Sequence, residues 1–130
     1  MLINDFFFLS DLKKESDSIQ ASIKINEHHK IFNGHFPGQP IVPGVCMLQI
    51  TKEVLEDVLK YKIQLHTAEH LKFLAFINPK ENNSINIEIQ FTRSENNTIK
   101  VTSSLYNAET VFFKFKGLFA KKANPVFLST

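Results

Sequence analysis

The chain has no tryptophan, one cysteine, four glycines and five prolines among its 130 residues. A lone Cys46 excludes an intrachain disulfide and fits a reducing compartment. No apolar run approaches the roughly 20 residues of a membrane-spanning helix. The opening Met1–Leu9 has no basic stretch, carries Asp5 early, and is too short in its apolar part to read as a signal peptide. The expected location is the cytoplasm, with no membrane partner. An excess of one charge is missing too. With 15 basic against 13 acidic residues the net charge is +2, which gives nucleic-acid binding little electrostatic support. Repeats, linkers and low-complexity segments are absent.

What is present is a globular composition, 43% hydrophobic and 22% charged. The length predicts a single domain over 1–130, with an ordered core over about 5–120 and a loosely held tail over 121–130. Thirteen phenylalanines imply a large apolar interior and more apolar surface than a monomer hides, which favours an oligomer.

Several segments alternate with period two, as half-buried strands do. Ile19, Ala21, Ile23 and Ile25 share one face; Ile85, Ile87, Ile89 and Phe91 share another; Ile99, Val101, Ser103 and Leu105 follow, then Val111, Phe113 and Phe115. Further strands are expected over Phe6–Leu12 and Leu71–Phe76. One helix, Pro43 to Lys60, interrupts them. Its first half (Val45, Cys46, Met47, Leu48, Ile50) is apolar nearly all round, as in a helix enclosed by protein. Gln49, in that first half, begins a stripe that Lys52, Glu53, Glu56, Asp57 and Lys60 continue and that reads as a solvated face. Five or six mainly antiparallel strands wrapped round one buried helix make an α+β domain.

The scarce glycines and prolines gather in His35-Phe36-Pro37-Gly38-Gln39-Pro40-Ile41-Val42-Pro43-Gly44-Val45. Pro37-Gly38 and Pro43-Gly44 are turn signals, and the second pair stands where the helix begins, with unpaired N–H groups pointing outward. A base held near such an electropositive helix end suits chemistry on a carbonyl that gathers negative charge. His35 is the candidate base, since an imidazole titrates near neutrality. Gly44, lacking a Cβ, lets a carbonyl approach the helix N-terminus.

This run resembles the signature of the β-hydroxyacyl-acyl carrier protein dehydratases of the FabZ/FabA type. Asn26–Gly34 resembles their lead-in to the histidine, and Leu71–Pro79 their strand ending in a proline turn. The likeness covers most of residues 18–120. It implies a hot-dog fold, dimerisation with active sites at the subunit interface, and no cofactor or metal. It further implies that His35 removes the α-proton of a 3-hydroxyacyl thioester, that the Gly44 N–H stabilises the enolate, and that the Ile41 carbonyl orients the imidazole. Phe36, Gly38, Ile41 and Val45 would contact substrate, carried on acyl carrier protein or coenzyme A. At the family's catalytic carboxylate this chain has Gln49, whose amide can hydrogen-bond a hydroxyl or water but not protonate it. Loss of such an acid costs about 10²–10⁴ in rate.

Three readings stay open: a dehydratase, with Gln49 orienting a group or a water; a thioesterase on the same fold, with Gln49 holding the attacking water; and a non-catalytic, dehydratase-like subunit that binds acyl chains or carrier protein, or completes a heteromer. The first is favoured by the intact histidine and glycine, in a homodimer or a multiple of dimers. Glu53, one turn beyond Gln49, is the only carboxylate on that stripe near enough to replace the acid. Other groups are expected to be structural. His66-Thr67-Ala68-Glu69-His70 spells an inverted zinc-protease motif but leads into a strand-like stretch. His28-His29 reads as an exposed turn, Cys46 as a small buried hydrophobe, and Lys114, Lys116, Lys121 and Lys122 as a solvated surface rather than a docking site.

Overall fold

Strands β2 (Ser18–Ile25), β4 (Ser84–Arg93) and β5 (Thr98–Tyr106) bury every second residue, as alternating sequences do in a sheet with one wet face. The computed structural model describes residues 1–34 and 40–123. Within them β1 (Phe7–Glu15), a 3₁₀ turn (Lys30–Gly34), α1 (Gly44–Leu59), β3 (Ile63–Phe73) and β6 (Val111–Lys121) complete the chain order. The strands form one six-stranded sheet, β1-β2-β4-β5-β6-β3, with every neighbouring pair antiparallel. The connection that contains α1 carries the chain from β2 to the far edge. Ile50, Val54 and Leu55 of α1 are buried with the isoleucines and phenylalanines of the inner sheet face. Burying a side chain of this size contributes about 1.5–3 kcal/mol.

Pro43 stands at the helix N-cap with φ −59° and ψ 142° and contributes no side-chain cap. The other end is closed by Lys60 in the left-handed region (φ 66°), its N–H donating to the Glu56 carbonyl at 2.8 Å. No helix among the described residues is long and apolar enough to cross a membrane.

Several expectations need correction. β3 begins eight residues before the expected Leu71 and ends at Phe73 rather than Phe76. After Ile63 it is exposed on both faces, and among the described residues it pairs only with β6, at the edge of the sheet; a strand without a buried face has no period-two signature. β1 runs past the expected Leu12 to Glu15, through a bulge between Ser10 and Lys13. α1 is not enclosed throughout. Cys46 and Met47 are buried and Leu48 half-buried, but Val45 is 73% exposed, on the first turn. Two acids of the supposedly solvated stripe, Glu53 and Glu56, are buried. Each is taken up by backbone N–H groups from elsewhere; Glu56 Oε2 accepts from Ile63 N–H at 2.9 Å and so fixes the start of β3 to the helix. Of the expected loose tail, Lys121 and Lys122 are held, donating from their backbones to Asn97 and Lys62.

Candidate active site at the helix N-terminus

The uncapped start of α1 opens on a cavity of about 530 Å³ lined by Ile41, Val42, Pro43, Gly44, Met47 and Phe73–Phe76. Two sequence features build it. Val42 N–H donates to the Ile77 carbonyl at 2.9 Å, so the approach to the helix is tied to the segment that leaves β3. Gly44 then lets an aromatic ring lie on the first turn. A Cβ at this position would stand 2.9 Å from Phe73 Cε1, closer than real Cβ contacts come. Phe73 also packs on Phe113, at 5.4 Å between centroids. The result is an apolar chamber against the positive end of a helix, and among the described residues no side-chain cap takes the first N–H groups.

Of the sequence-derived site residues, Gly44 and Ile41 line this cavity. Val45 stands beside Gly44 with its side chain largely in solvent. His35, Phe36 and Gly38 lie outside the described residues. The lining residues Met47, Phe73, Leu74, Ala75 and Phe76 were not singled out from sequence. Their signal was the run Phe-Leu-Ala-Phe, which breaks period two and so leaves apolar side chains on both faces; Phe76 is 79% exposed.

Gln49 belongs to a second cluster, on another face of α1. Its Nε2 donates to Glu53 Oε2 at 2.7 Å. Glu53, 1% exposed, also accepts from Leu2 N–H at 2.9 Å to each oxygen and from Ile3 N–H at 2.8 Å. The carboxylate thus pins the N-terminal segment to the helix. With its oxygens occupied by backbone donors, Glu53 is not placed as the replacement acid considered from sequence.

A third polar cluster precedes the motif. His29, expected in an exposed turn, is 7% exposed, whereas the His28 side chain faces solvent. Its Nε2 meets Asp5 Oδ2 at 3.1 Å, its Nδ1 accepts from Ile31 N–H at 3.0 Å, and Phe6 packs edge-on to the ring. His29 therefore joins Asp5, two residues ahead of β1, to the 3₁₀ turn that precedes His35. Nothing local in the sequence announced Asp5 as its partner.

The remaining candidates are structural in their surroundings. Burial pushes the Cys46 thiol up from its ordinary range, the opposite of an activated nucleophile. His66 and His70 sit in the extended strand β3, His66 Nδ1 against Thr67 Oγ1 at 2.8 Å. No group of three metal-binding side chains gathers among the described residues. Lys114 and Lys116 are exposed, in register with Lys72 and His70 of β3; Lys121 lies over the Tyr61 ring at 4.8 Å.

Residues 11–114 match the profile of a family described as ApeI-like, the ApeI dehydratases. A 3-hydroxyacyl-[acyl-carrier-protein] dehydratase FabZ from Levilactobacillus brevis is 29% identical over 98 residues, covering 70% of this chain. The chain spans 65% of the length of that relative, just under two thirds. A chain of the dehydratase heterocomplex ApeI:P from Xenorhabdus doucetiae superposes with a TM-score of 0.69 at 16% identity, covering 88% of this chain and 97% of that one. A provisionally named thioesterase from Shewanella oneidensis superposes at 0.55 with 12% identity, over 90% and 83% of the two chains. Both likenesses are of fold, and the fold is the hot dog.

Proposed function

The chain belongs to the ApeI-like dehydratase family, and on that premise we propose that it removes water from a 3-hydroxyacyl thioester, carried on acyl carrier protein or coenzyme A, to give the 2-enoyl thioester. The observation that carries the reading is the uncapped start of α1 at Gly44, opening on an apolar cavity. The thioester oxygen accepts from the N–H of Gly44, which stabilises the enolate that forms when His35 takes the α-proton. The C3–O bond then breaks, the electron pair of the enolate becomes the C2–C3 double bond, and His35 returns its proton to the departing hydroxyl as water. The acyl chain lies along Ile41, Met47 and Phe73. Phe36, Gly38 and Val45 contact the substrate, and Gln49 holds the hydroxyl. No cofactor enters these steps. The lone Cys46 fits a cytoplasmic enzyme.

The same reading makes the protein an oligomer of at least two subunits, with Gln49 of one chain near His35 of the partner subunit. Support comes from the long unpaired edge of β3 and the exposed Val45, Leu71, Phe73, Leu74 and Phe76 nearby. A free edge with apolar side chains is a pairing surface unless it is covered. A second reading has a specific observation behind it: the carboxylate missing at Gln49 comes from a dehydratase-like partner of different sequence. The resemblance in fold to a chain from a dehydratase heterocomplex favours it.

Mass spectrometry of the purified protein with a 3-hydroxyacyl thioester and with its 2-enoyl counterpart decides among these. Loss or gain of water supports the dehydratase. Free acid points to a thioesterase, and no turnover to a subunit that needs a partner. Gln49→Glu should raise dehydration by about 10²–10⁴, the range for general acid catalysis. The new carboxyl would face Glu53 across the present 2.7 Å contact, and two carboxyls so close share a proton. His35→Ala should abolish turnover in both backgrounds without unfolding the protein.

A further inference from the structure

Glu53 takes no chemical step in the proposed reaction, yet its surroundings decide which end of Gln49 is offered to a ligand. A glutamine amide has two unlike ends, a carbonyl that only accepts and an NH₂ that only donates. Their orientation is usually inferred from the surrounding network. Here chemistry forces it. As a carboxylate that takes the N–H groups of Leu2 and Ile3 at 2.8–2.9 Å, Glu53 has only lone pairs to offer Gln49, and the 2.7 Å contact to Oε2 is a donation from Nε2. Oε1 is the end that remains, and among the described residues no hydrogen bond reaches it. Burial makes the arrangement stiff, since a carboxylate that is 1% exposed has no water to exchange for its protein donors.

We propose that Glu53 is the positioning residue of this site: it turns the Gln49 amide so that the carbonyl oxygen faces the bound molecule and makes position 49 selective for a ligand with a hydrogen to donate. This rests on the dehydratase reading of Gln49 and deepens it. A 3-hydroxyacyl group has such a hydrogen at C3. A 3-oxoacyl group of nearly the same size offers only lone pairs, and two acceptors facing each other leave both unsatisfied. The 2-enoyl product has no group to offer and loses the contact when it forms. Gln49 on this account holds the hydroxyl and discriminates, while the proton traffic stays with His35.

Two measurements test it. The first needs no ligand. In NMR spectra of the ¹⁵N-labelled protein, the Gln49 side-chain amide, assigned by its loss in Gln49→Leu, should show one downfield proton and slowed exchange compared with a surface glutamine such as Gln20. In Glu53→Ala that signature should disappear, with folding checked by the dispersion of the remaining spectrum. An unprotected Gln49 amide in the wild type overturns the proposal. The second uses calorimetry with two unreactive pantetheine amides, one bearing a 3-hydroxyoctanoyl and one a 3-oxooctanoyl chain. Wild type should prefer the hydroxy ligand about tenfold, the scale of one hydrogen bond. In Glu53→Gln the carbonyl oxygen can still accept the Leu2 and Ile3 N–H groups at the Oε1 position, while the NH₂ gives up the second Leu2 contact, faces Gln49 and reverses the amide. The preference should fall to parity or invert, in a protein that still folds with a cooperative melt. Equal binding of the two ligands by wild type, or an unchanged ratio in folded Glu53→Gln, overturns the proposal. Failure of both ligands to bind while the amide signature persists overturns the dehydratase reading instead.

Discussion

Gly44 does two jobs with one missing carbon atom. It leaves room for a carbonyl at the helix start, and it lets the Phe73 ring lie against the first turn. Gly44→Ala should separate them. The ring is half-exposed and ends a flexible side chain, so it can swing aside, and stability should change by less than about 1 kcal/mol in denaturant titration. The displaced ring and the new methyl both enter the cavity, so thioester turnover should fall by at least about 10²-fold, the order of losing one oxyanion donor. The residues hardest to read from sequence were the buried polar ones. Glu53 and Glu56 share helical spacing with Lys52 and Asp57, and spacing alone places all of them on a wet face. Their partners are remote in sequence; Leu2 N–H lies 51 residues from Glu53. His29 likewise depends on Asp5, 24 residues earlier. Helical periodicity encodes which face a residue occupies but not which distant donors reach it.

Among the elements, β2, β4 and β5 were legible because each has one buried and one wet face, and α1 because Pro43-Gly44 marks its start. β3 was not, since an edge strand exposed on both faces carries no alternation. What holds it is its pairing with β6, and one residue there is decisive. A Cβ at Gly117 would run into the Thr67 carbonyl oxygen and stand 2.8 Å from Phe115 Cζ and 3.2 Å from Ala68 Cα. These are backbone atoms of β3 between its two register shifts, together with a fully buried ring. Gly117→Ala should therefore cost about 1–3 kcal/mol, the usual range for overpacking. In hydrogen exchange the loss of protection should concentrate in Thr67–Leu71 and spare β2 and β4. A uniform loss across the sheet would show that β3 and β6 are not a separable unit.

Over the whole molecule the cavity-lining residues converge on one end, where α1 begins, β3 stops and apolar side chains reach solvent. Val45 tests whether a second subunit covers them. A carboxylate in the first turn of a helix is favourable to the helix itself, so Val45→Glu should leave the melting temperature unchanged or slightly higher. If the 73% exposed valine is covered in the assembly, the same change buries a charge there. Light scattering at micromolar concentration should then report a dimer for wild type and a monomer for the variant.

The order of the sheet also has a consequence for how the chain is made. β3 is synthesised well before β6, yet among the described residues β6 is its only partner strand: Phe73 pairs with Phe113 and Ile63 with Lys121. At roughly 5–20 residues per second a ribosome needs about two to twelve seconds to supply those partners. During that interval β1, β2 and β4 can already pair, while Leu65, Leu71 and Phe73 wait on a segment with no strand beside it. The nascent chain thus passes through a stage in which one edge of the domain is complete and the other exists only as an unpaired, sticky ribbon, and its exposure to chaperones and to neighbouring nascent chains is concentrated there.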